Sequence, residues 1–228
     1  MVFLVGIVGF IGAGKNTVSS VFKRHGFREE SLASPLKDAC AHIFAWPRAL
    51  LDGVTEKSRH WREKPDTFWS LALGTPVTPR KMLQWLGTDV FRNSLHRDIW
   101  LMSLLRRIRS QAGSVVITDV RFPNEIDAIK RLGGVVVRVK RGPDPPWFET
   151  AAKAARGSST AAAFMQKNVN THSSEWQWSG SVADYIINND GNIEELKTQT
   201  RMVIYDIMKT HGIQETRTLR RRVTAKRK

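Results

Sequence analysis

Cysteine is nearly absent: Cys40 is the single one among 228 residues. That excludes an internal disulfide framework and suits a reducing cytoplasm. Cys40 falls on an apolar stripe of helical spacing, Leu36, Ala39, Cys40, Ile43 and Phe44, where packing is expected of it rather than chemistry. Long hydrophobic runs are missing too. None approaches the length of a membrane span, and the charged-then-apolar layout of a signal peptide does not occur. No membrane partner is therefore expected, and the cytoplasm is the expected location. No internal repeat is found. The hydrophobic share of 41% is ordinary for a soluble protein, and the length suits one α/β domain with insertions better than two domains.

What is present begins at once. Phe3 to Val8 reads as a short buried parallel strand, followed by Gly9-Phe-Ile-Gly-Ala-Gly14-Lys15 and then by an amphipathic helix with Val18, Val21 and Phe22 on one face and Gly26 as its stop. Strand, glycine-rich turn and helix in that order are the context of a P-loop. Backbone N–H groups of Gly12, Ala13, Gly14, Lys15, Asn16 and Thr17 then converge on phosphate, helped by the positive end of the helix dipole. The Lys15 side chain reaches the β- and γ-phosphates. The pattern wants Ser or Thr directly after the lysine, and Asn16 stands there with Thr17 next. Small-molecule kinases of the nucleoside monophosphate kinase group often read Gly-Lys-x-Thr at this point. In that resemblance Thr17 contacts phosphate, and the direct protein ligand of Mg²⁺ stays open.

Further along, Phe27 to Leu32 is a weak strand candidate, and Ser34-Pro35 opens a helix with the serine as N-cap. Trp46 to Glu63 reads as a charged, loop-rich segment. Thr78-Pro79 repeats the cap-and-proline signal before a helix with Leu83, Leu86 and Val90 inward; Gln84, Asp89 and Arg92 cannot all join that stripe. Leu101, Leu104, Leu105 and Ile108 mark another helix. Val115 to Asp119 is a second buried strand ending in a carboxylate, Pro123 opens a short helix closed by Gly133-Gly134, and Val135 to Val139 is a third strand. Residues from about 141 to 180 read as a long irregular stretch, which inside a compact domain means a lid, a binding loop or disorder. Tyr185 to Ile187 is the last strand. Asn192 and Glu195 form a capping-box start for a closing helix with Ile193, Leu196, Val203, Ile204 and Ile207 on its apolar side. Strands alternating with helices give a mostly parallel sheet wrapped on both faces, with ligands beyond the carboxyl ends of the strands. Asp119 is then expected near the P-loop.

Six stretches together resemble one family: Gly9 to Thr17, Ser31-Leu-Ala-Ser-Pro-Leu-Lys37, Leu83-Gln-Trp-Leu-Gly-Thr-Asp-Val-Phe-Arg92, Asp119-Val-Arg-Phe-Pro-Asn-Glu125, Thr171-His-Ser-Ser-Glu-Trp176 and Ile187-Asn-Asn-Asp190. Their order is similar to that of the phage-type deoxynucleoside monophosphate kinases. The resemblance implies a P-loop kinase-like three-layer α/β sandwich over 1–216, with an acceptor-binding insertion at about 34–112 and a lid at about 141–180. It implies ATP and Mg²⁺ as cofactors and a deoxynucleoside 5′-monophosphate as the small-molecule acceptor. A homodimer is left open, and a phage-encoded enzyme works in the host cytoplasm.

Phosphoryl transfer asks for positive charge around the migrating group and an acceptor held in line. Lys15 and Arg121 are the first candidates for that charge, with Arg138 or Arg141 from the lid side. Asp119 orients Mg²⁺ or its water shell; an internal salt bridge is the other reading of Asp119-x-Arg121. Arg59, Arg62 and Arg92 are candidates for the acceptor phosphate, since a guanidinium grips phosphate bidentately. Gln84 and Asp89 meet base or sugar, or are solvated helix residues. Trp61, Trp69 and Trp85 either stack on a base or belong to the core. By resemblance Lys37, Trp147, His172 and Glu175 also face the substrate, Glu175 binding the nucleoside or ordering a lid arginine. Asn188 to Gly191, with Asn189 the candidate, is where related folds pass beside the adenine; a simple turn is the other reading.

The net charge of +15 at first suggests nucleic acid. Residues 217–228 hold seven Lys and Arg and no acid, and fifteen less those seven leaves +8 for the rest. That remainder fits an enzyme of two polyanionic nucleotides as well as it fits a nucleic-acid binder. The tail is expected to be disordered and to touch nucleic acid weakly. Two other readings compete: a P-loop kinase for another small acceptor such as dephospho-coenzyme A, and a nucleic-acid-stimulated P-loop NTPase.

Overall fold

The computed structural model describes residues 2–214. The basic stretch 217–228, read above as a disordered tail, lies outside the described residues. In chain order the elements are β1 (Phe3–Val8), α1 (Lys15–Arg24), β2 (Arg28–Glu30), α2 (Ser34–Phe44), α3 (Arg48–Leu51), α4 (Glu56–Glu63), α5 (Thr67–Leu73) and α6 (Pro79–Gln84). A π-helical run (Trp85–Leu95), α7 (Ile99–Ile108), β3 (Ser114–Ile117), α8 (Pro123–Arg131), β4 (Val135–Lys140), α9 (Phe148–Ala155) and α10 (Ser159–Asn168) follow. Two 3₁₀ turns (Ser173–Glu175 and Gln177–Gly180), β5 (Tyr185–Asn188) and α11 (Ile193–Thr210) close the order. The described residues divide into two compact units, one formed by those up to Ser31 together with those from Ile108 to Gln214, the other Leu32–Arg107, where the sequence suggests an insertion over about 34–112.

The first unit is built on a five-stranded sheet of order β2-β3-β1-β4-β5, with every described pairing parallel. Its strands are short apolar runs buried on both faces, as a parallel sheet under helices requires. On one face Val5, Ile7, Val135, Val137, Val139 and Ile187 meet Val18, Val21 and Phe22 of α1 and Leu196, Ile204 and Ile207 of α11. On the other, α8 packs against β1 and β4 with Ile126 and Ile129 1% exposed. Each such aliphatic side chain contributes about 1.5–3 kcal/mol on burial, so the sheet centre is the rigid part of the unit. Because β1 lies between β3 and β4, the chain leaving β1 has as neighbours the chains leaving β3 and β4. That places the glycine turn, Asp119 to Arg121 and Lys140 to Asp144 at the same end of the sheet.

The second unit has its own core of Leu36, Cys40, Phe44, Trp46, Leu51 and Val77, with Trp61, Trp69, Leu83, Leu86 and Trp100 packed against it. Indole N–H groups find partners there: Trp46 Nε1 donates to Asp66 Oδ2 at 2.8 Å, Trp69 Nε1 to Phe44 O at 3.0 Å and Trp100 Nε1 to Gly87 O at 2.8 Å. Trp61 and Trp69 therefore belong to the core, whereas Trp85 is exposed. Burial pushes the Cys40 thiol up to about 11, in keeping with a packing role.

Several local expectations are corrected. Ser34 is the first residue of α2, not its cap: Ala33 takes that place, and Ser34 Oγ accepts from Arg48 Nη2 at 3.2 Å. Ile43 and Ile193 point outward, at 61% and 57% exposure, although their spacing matches buried stripes. Residues 46–63 are not loop-rich; they hold α3 and α4, the latter started by a capping box in which Thr55 and Ser58 bond reciprocally. The segment from Trp85 is π-helical, so side chains turn less per residue than the α-helical reading assumes. Gly87, Thr88 and Arg92 are buried, and Leu86 and Val90 only half-buried. The stretch from about 141 to 180 is mostly helical. Its alanines let α9 and α10 pack together, with Ala151 and Met165 buried beside Trp176.

Candidate active site

Gly9 to Gly14 leave the carboxyl end of β1 and lead straight into α1. Gly14 stands at the N-cap in the left-handed conformation and no side chain caps the first turn by a hydrogen bond, which leaves the helix N–H groups available to an anion. Asn16 is exposed and Thr17 half-buried in that turn. Lys15 folds back over the loop, and its Nζ donates to Gly9 O at 2.7 Å and Phe10 O at 2.9 Å. The side chain thus waits on two carbonyls that a phosphate oxygen can replace.

Asp119 and Arg121 follow the end of β3. Asp119 Oδ2 accepts from Ser31 Oγ at 2.7 Å. Arg121 Nη1 donates to Glu175 Oε1 at 2.7 Å and to Ser174 O at 3.3 Å. The main chain here is held by Glu125, which is 3% exposed and accepts from the N–H groups of Arg121 at 2.8 Å and Phe122 at 3.1 Å. Lys15, Asp119, Arg121 and Glu175 form one electrostatic cluster. Burial first, then Arg121, lowers the Lys15 pKa, Glu175 and Asp119 pull it back, and the outcome is about 8 against the ordinary 10.5. For Arg121 burial works downward, but Glu175, Asp119 and Glu125 outweigh it and raise its pKa, so it stays charged.

The sign of the Lys15 shift gives a test. Lys15 carries its charge below about pH 8 in the unliganded protein and loses it as pH rises through that value. The specificity constant kcat/KM for the nucleotide, which reports free-enzyme ionisations, is expected to fall on the alkaline side from about pH 8. A pH profile flat to pH 10 would contradict the environment described for this lysine.

A cavity of about 290 Å³ lies beside the loop, between Phe10 to Ala13 and Val139 to Arg141 with Asp144. Arg138 precedes Val139 on β4. It is ion-paired with Asp144, and its guanidinium lies 4.6 Å from the Phe148 ring centre and 5.1 Å from that of Trp178. Phe10 packs edge-on against Trp147 and Trp178 in the same aromatic group. The structure therefore engages Arg138 and Trp147 in the packing behind the loop. Asn189 is also tied to it, its Nδ2 donating to Ala13 O at 2.8 Å. His172 accepts from Ser174 N at 3.3 Å and shares a hydrogen bond with Ser174 Oγ at 2.8 Å, which shapes the turn carrying Glu175.

The remaining candidates lie in the second unit. Lys37 pairs with Asp52 at 3.0 Å. Arg62 is half-buried and reaches Leu51 O at 3.4 Å, and Arg92 is 8% exposed. Gln84 is half-buried; Asp89 is exposed and accepts from Asn93 Nδ2 at 3.4 Å. Asp144 is not singled out in the sequence, and Glu125 only as the end of a matching stretch, with no role of its own. The spacing of Lys140 and Asp144, four apart and 3.3 Å from each other, was the available signal for the first. For Glu125 it was the acid three residues into a proline-started helix.

Among the described residues no group of three His, Cys, Asp or Glu side chains could cage a metal, and no helix is long and apolar enough to cross a membrane. A glycine loop between a central parallel strand and a helix, with a lysine on its carbonyls and an acid and an arginine at the neighbouring strand end, defines a P-loop kinase. The family model for deoxynucleotide monophosphate kinases matches residues 54–146. A mimivirus protein (Acanthamoeba polyphaga mimivirus) described as "Putative deoxynucleotide monophosphate kinase" is 38% identical over 153 residues, 60% of this chain and 74% of that one. The deoxynucleoside-5′-monophosphate kinase of Escherichia phage T5 is 44% identical over 88 residues, 38% of this chain and 34% of that one. The deoxynucleotide monophosphate kinase of Enterobacteria phage T4 is 27% identical over 121 residues, 51% of this chain and 41% of that one. The chain belongs to the deoxynucleotide monophosphate kinase family.

Proposed function

We propose that the protein transfers the γ-phosphate of ATP to a deoxynucleoside 5′-monophosphate, releasing ADP and the deoxynucleoside diphosphate. The observation that carries this reading is the cluster of Lys15, Asp119, Arg121 and Glu175 at the mouth of the P-loop. Transfer needs little covalent help from the protein and much charge in the right place. Lys15 exchanges its bonds to Gly9 O and Phe10 O for oxygens of the β- and γ-phosphates. Arg121 neutralises charge on the migrating phosphoryl group. Helix α1 adds its N-terminal N–H groups. The donor set fits Mg²⁺: Asp119 offers a hard carboxylate oxygen at the end of β3, and among the described residues no His, Cys, Asp or Glu cage competes for the ion. Asp119 would hold the ion or its water, and the ion when bound would supply neutralising charge for the phosphates.

For the acceptor we assign Arg62 and Arg92 to the phosphate, and Gln84, Asp89 and Lys37 to sugar and base. Arg62→Ala is expected to raise KM for the monophosphate about tenfold while KM for ATP changes much less, with Arg62→Lys a poor substitute because it lacks the planar fork. Equal effects on both substrates, or none, would place the acceptor elsewhere. Arg62 is the cleaner choice for this test than Arg92, whose burial ties any substitution to stability.

A coupled assay of ADP formation tests the function itself. ATP turnover is expected to depend on added deoxynucleoside monophosphate. Turnover that responds instead to dephospho-coenzyme A, or to DNA with no monophosphate present, would overturn the proposal in favour of another acceptor or of an NTPase.

A further inference from the structure

Arg121 is fixed twice, from two directions. Its main-chain N–H donates to the buried Glu125 carboxylate, and its side chain is taken by the 3₁₀ turn Ser173–Glu175, more than fifty residues further on. Both side-chain bonds, to Glu175 Oε1 and to Ser174 O, fall on the same nitrogen, Nη1, and neither uses Nε or Nη2. Glu175 is the more enclosed partner, its side chain 11% exposed against 39% for Arg121. The turn is held from within, since His172 Nδ1 accepts from Ser174 N–H and meets Ser174 Oγ.

The electrostatics explain why such a hold is needed. Arg121 and Lys15 are two cations gathered at one site, and each disfavours the other's charge. A free arginine would relieve that by swinging into solvent, and recovering it later costs side-chain entropy. A carboxylate on Nη1 counters the repulsion and leaves the Nε–Nη2 edge for an incoming oxygen pair.

We infer that Glu175 is a positioning residue: it anchors Arg121 through Nη1 so that the other guanidinium nitrogens meet the transferring phosphoryl group. This rests on the kinase reading above. It differs from the reading in which Glu175 touches the nucleoside, because a residue acting through Arg121 loses its effect when Arg121 is gone.

The test is a double-mutant cycle on the full chain with Glu175→Gln, Arg121→Ala and the pair. Glu175→Gln keeps the side-chain shape and removes the charge. It is expected to lower kcat about tenfold or more with both KM values within about threefold, and to change kcat less than about twofold in the Arg121→Ala background. Glu175→Asp should recover part of the loss. Equal losses in both backgrounds, or a loss confined to KM for the monophosphate, would overturn the inference. Should Glu175→Gln lower the melting temperature, Glu175→Asp carries the same cycle with the charge kept. Calorimetric affinities for ATP and ADP on the same proteins separate this from the functional reading. If the wild type phosphorylates no deoxynucleoside monophosphate, the function fails. The pairing then still stands or falls on whether the two substitutions change the ATP-to-ADP preference non-additively.

Discussion

Replacing Lys15 with alanine is expected to slow phosphoryl transfer at least a hundredfold while the protein keeps its fold. The lysine is the one side chain of the P-loop that carries a full charge, and it already lies within bonding distance of the loop's own carbonyls. Losing one preorganised electrostatic contact of this kind removes about 3 kcal/mol or more of transition-state stabilisation, which is roughly a hundredfold in rate. The fold should tolerate the change for a specific reason. Lys15 contributes nothing to the apolar face of α1, and its charge is held against a burial penalty large enough to lower its pKa to about 8. Removing it lifts that penalty, which offsets the two lost hydrogen bonds. Thermal melts and single-turnover rates on the same preparation check both halves. A folded variant turning over near the wild-type rate would remove Lys15 from the mechanism and the P-loop from its assigned role.

The parts legible in the sequence share one property: their signal is local. Phe3 to Val8, the glycines after it, and the α1 stripe of Val18, Val21 and Phe22 state strand, turn and helix within about twenty residues, and the observed elements match them. Asn192 is read as a cap from its neighbours, and its side chain accepts from the N–H groups of Glu194 and Glu195. Strands β3 and β4 announce themselves by continuous valine and isoleucine, and so Asp119 could be placed at a strand end. What stayed hidden depends either on weak patterns or on distance along the chain. Helices α9 and α10 are built largely from alanine, which favours helix strongly but gives little apolar contrast to reveal a face. Helix α4 is capped by Thr55, and its capping box is completed by a serine at the third position where a glutamate would have been conspicuous.

The site shows the same division. The P-loop is contiguous, so its function can be read directly. The anchors around it come from far away: Asn189 holds Ala13 O from the end of β5, and Glu175 takes Arg121 from a turn that follows a helical hairpin. No spacing rule links these pairs, because the sheet order and not the sequence brings them together. Arg138 illustrates the converse. A basic residue near the end of a strand beside a P-loop invites a phosphate role, yet the fold surrounds it with Asp144, Phe148 and Trp178. Its guanidinium thereby joins β4 to the aromatic group beside the loop, worth about 0.5–2 kcal/mol per cation–π contact.

Two glycines of the loop should fail in different ways when replaced by alanine. At Gly9 the backbone has φ +144°, and a Cβ built there would stand 2.3 Å from Val139 O. That oxygen belongs to the central part of the sheet, on β4, and cannot step aside without shifting a strand paired on both edges. Strain at such a φ costs about 1–3 kcal/mol and overpacking a similar amount, so Gly9→Ala is expected to lose several kcal/mol of stability. At Gly12 φ is +80°, but nothing lies within 4 Å of the added carbon. The cost there is the left-handed conformation alone, about 1–2 kcal/mol, and the variant should remain folded. What Gly12→Ala should lose is ligand: a methyl group at the turn where N–H groups converge stands in the approach of a phosphate, so affinity for ATP is expected to drop about tenfold or more. Urea unfolding and calorimetric ATP binding measured on both variants decide the matter. Equal destabilisation would mean that the Gly9 contact with Val139 yields easily, and unchanged ATP affinity in Gly12→Ala would mean that phosphate does not enter over this turn.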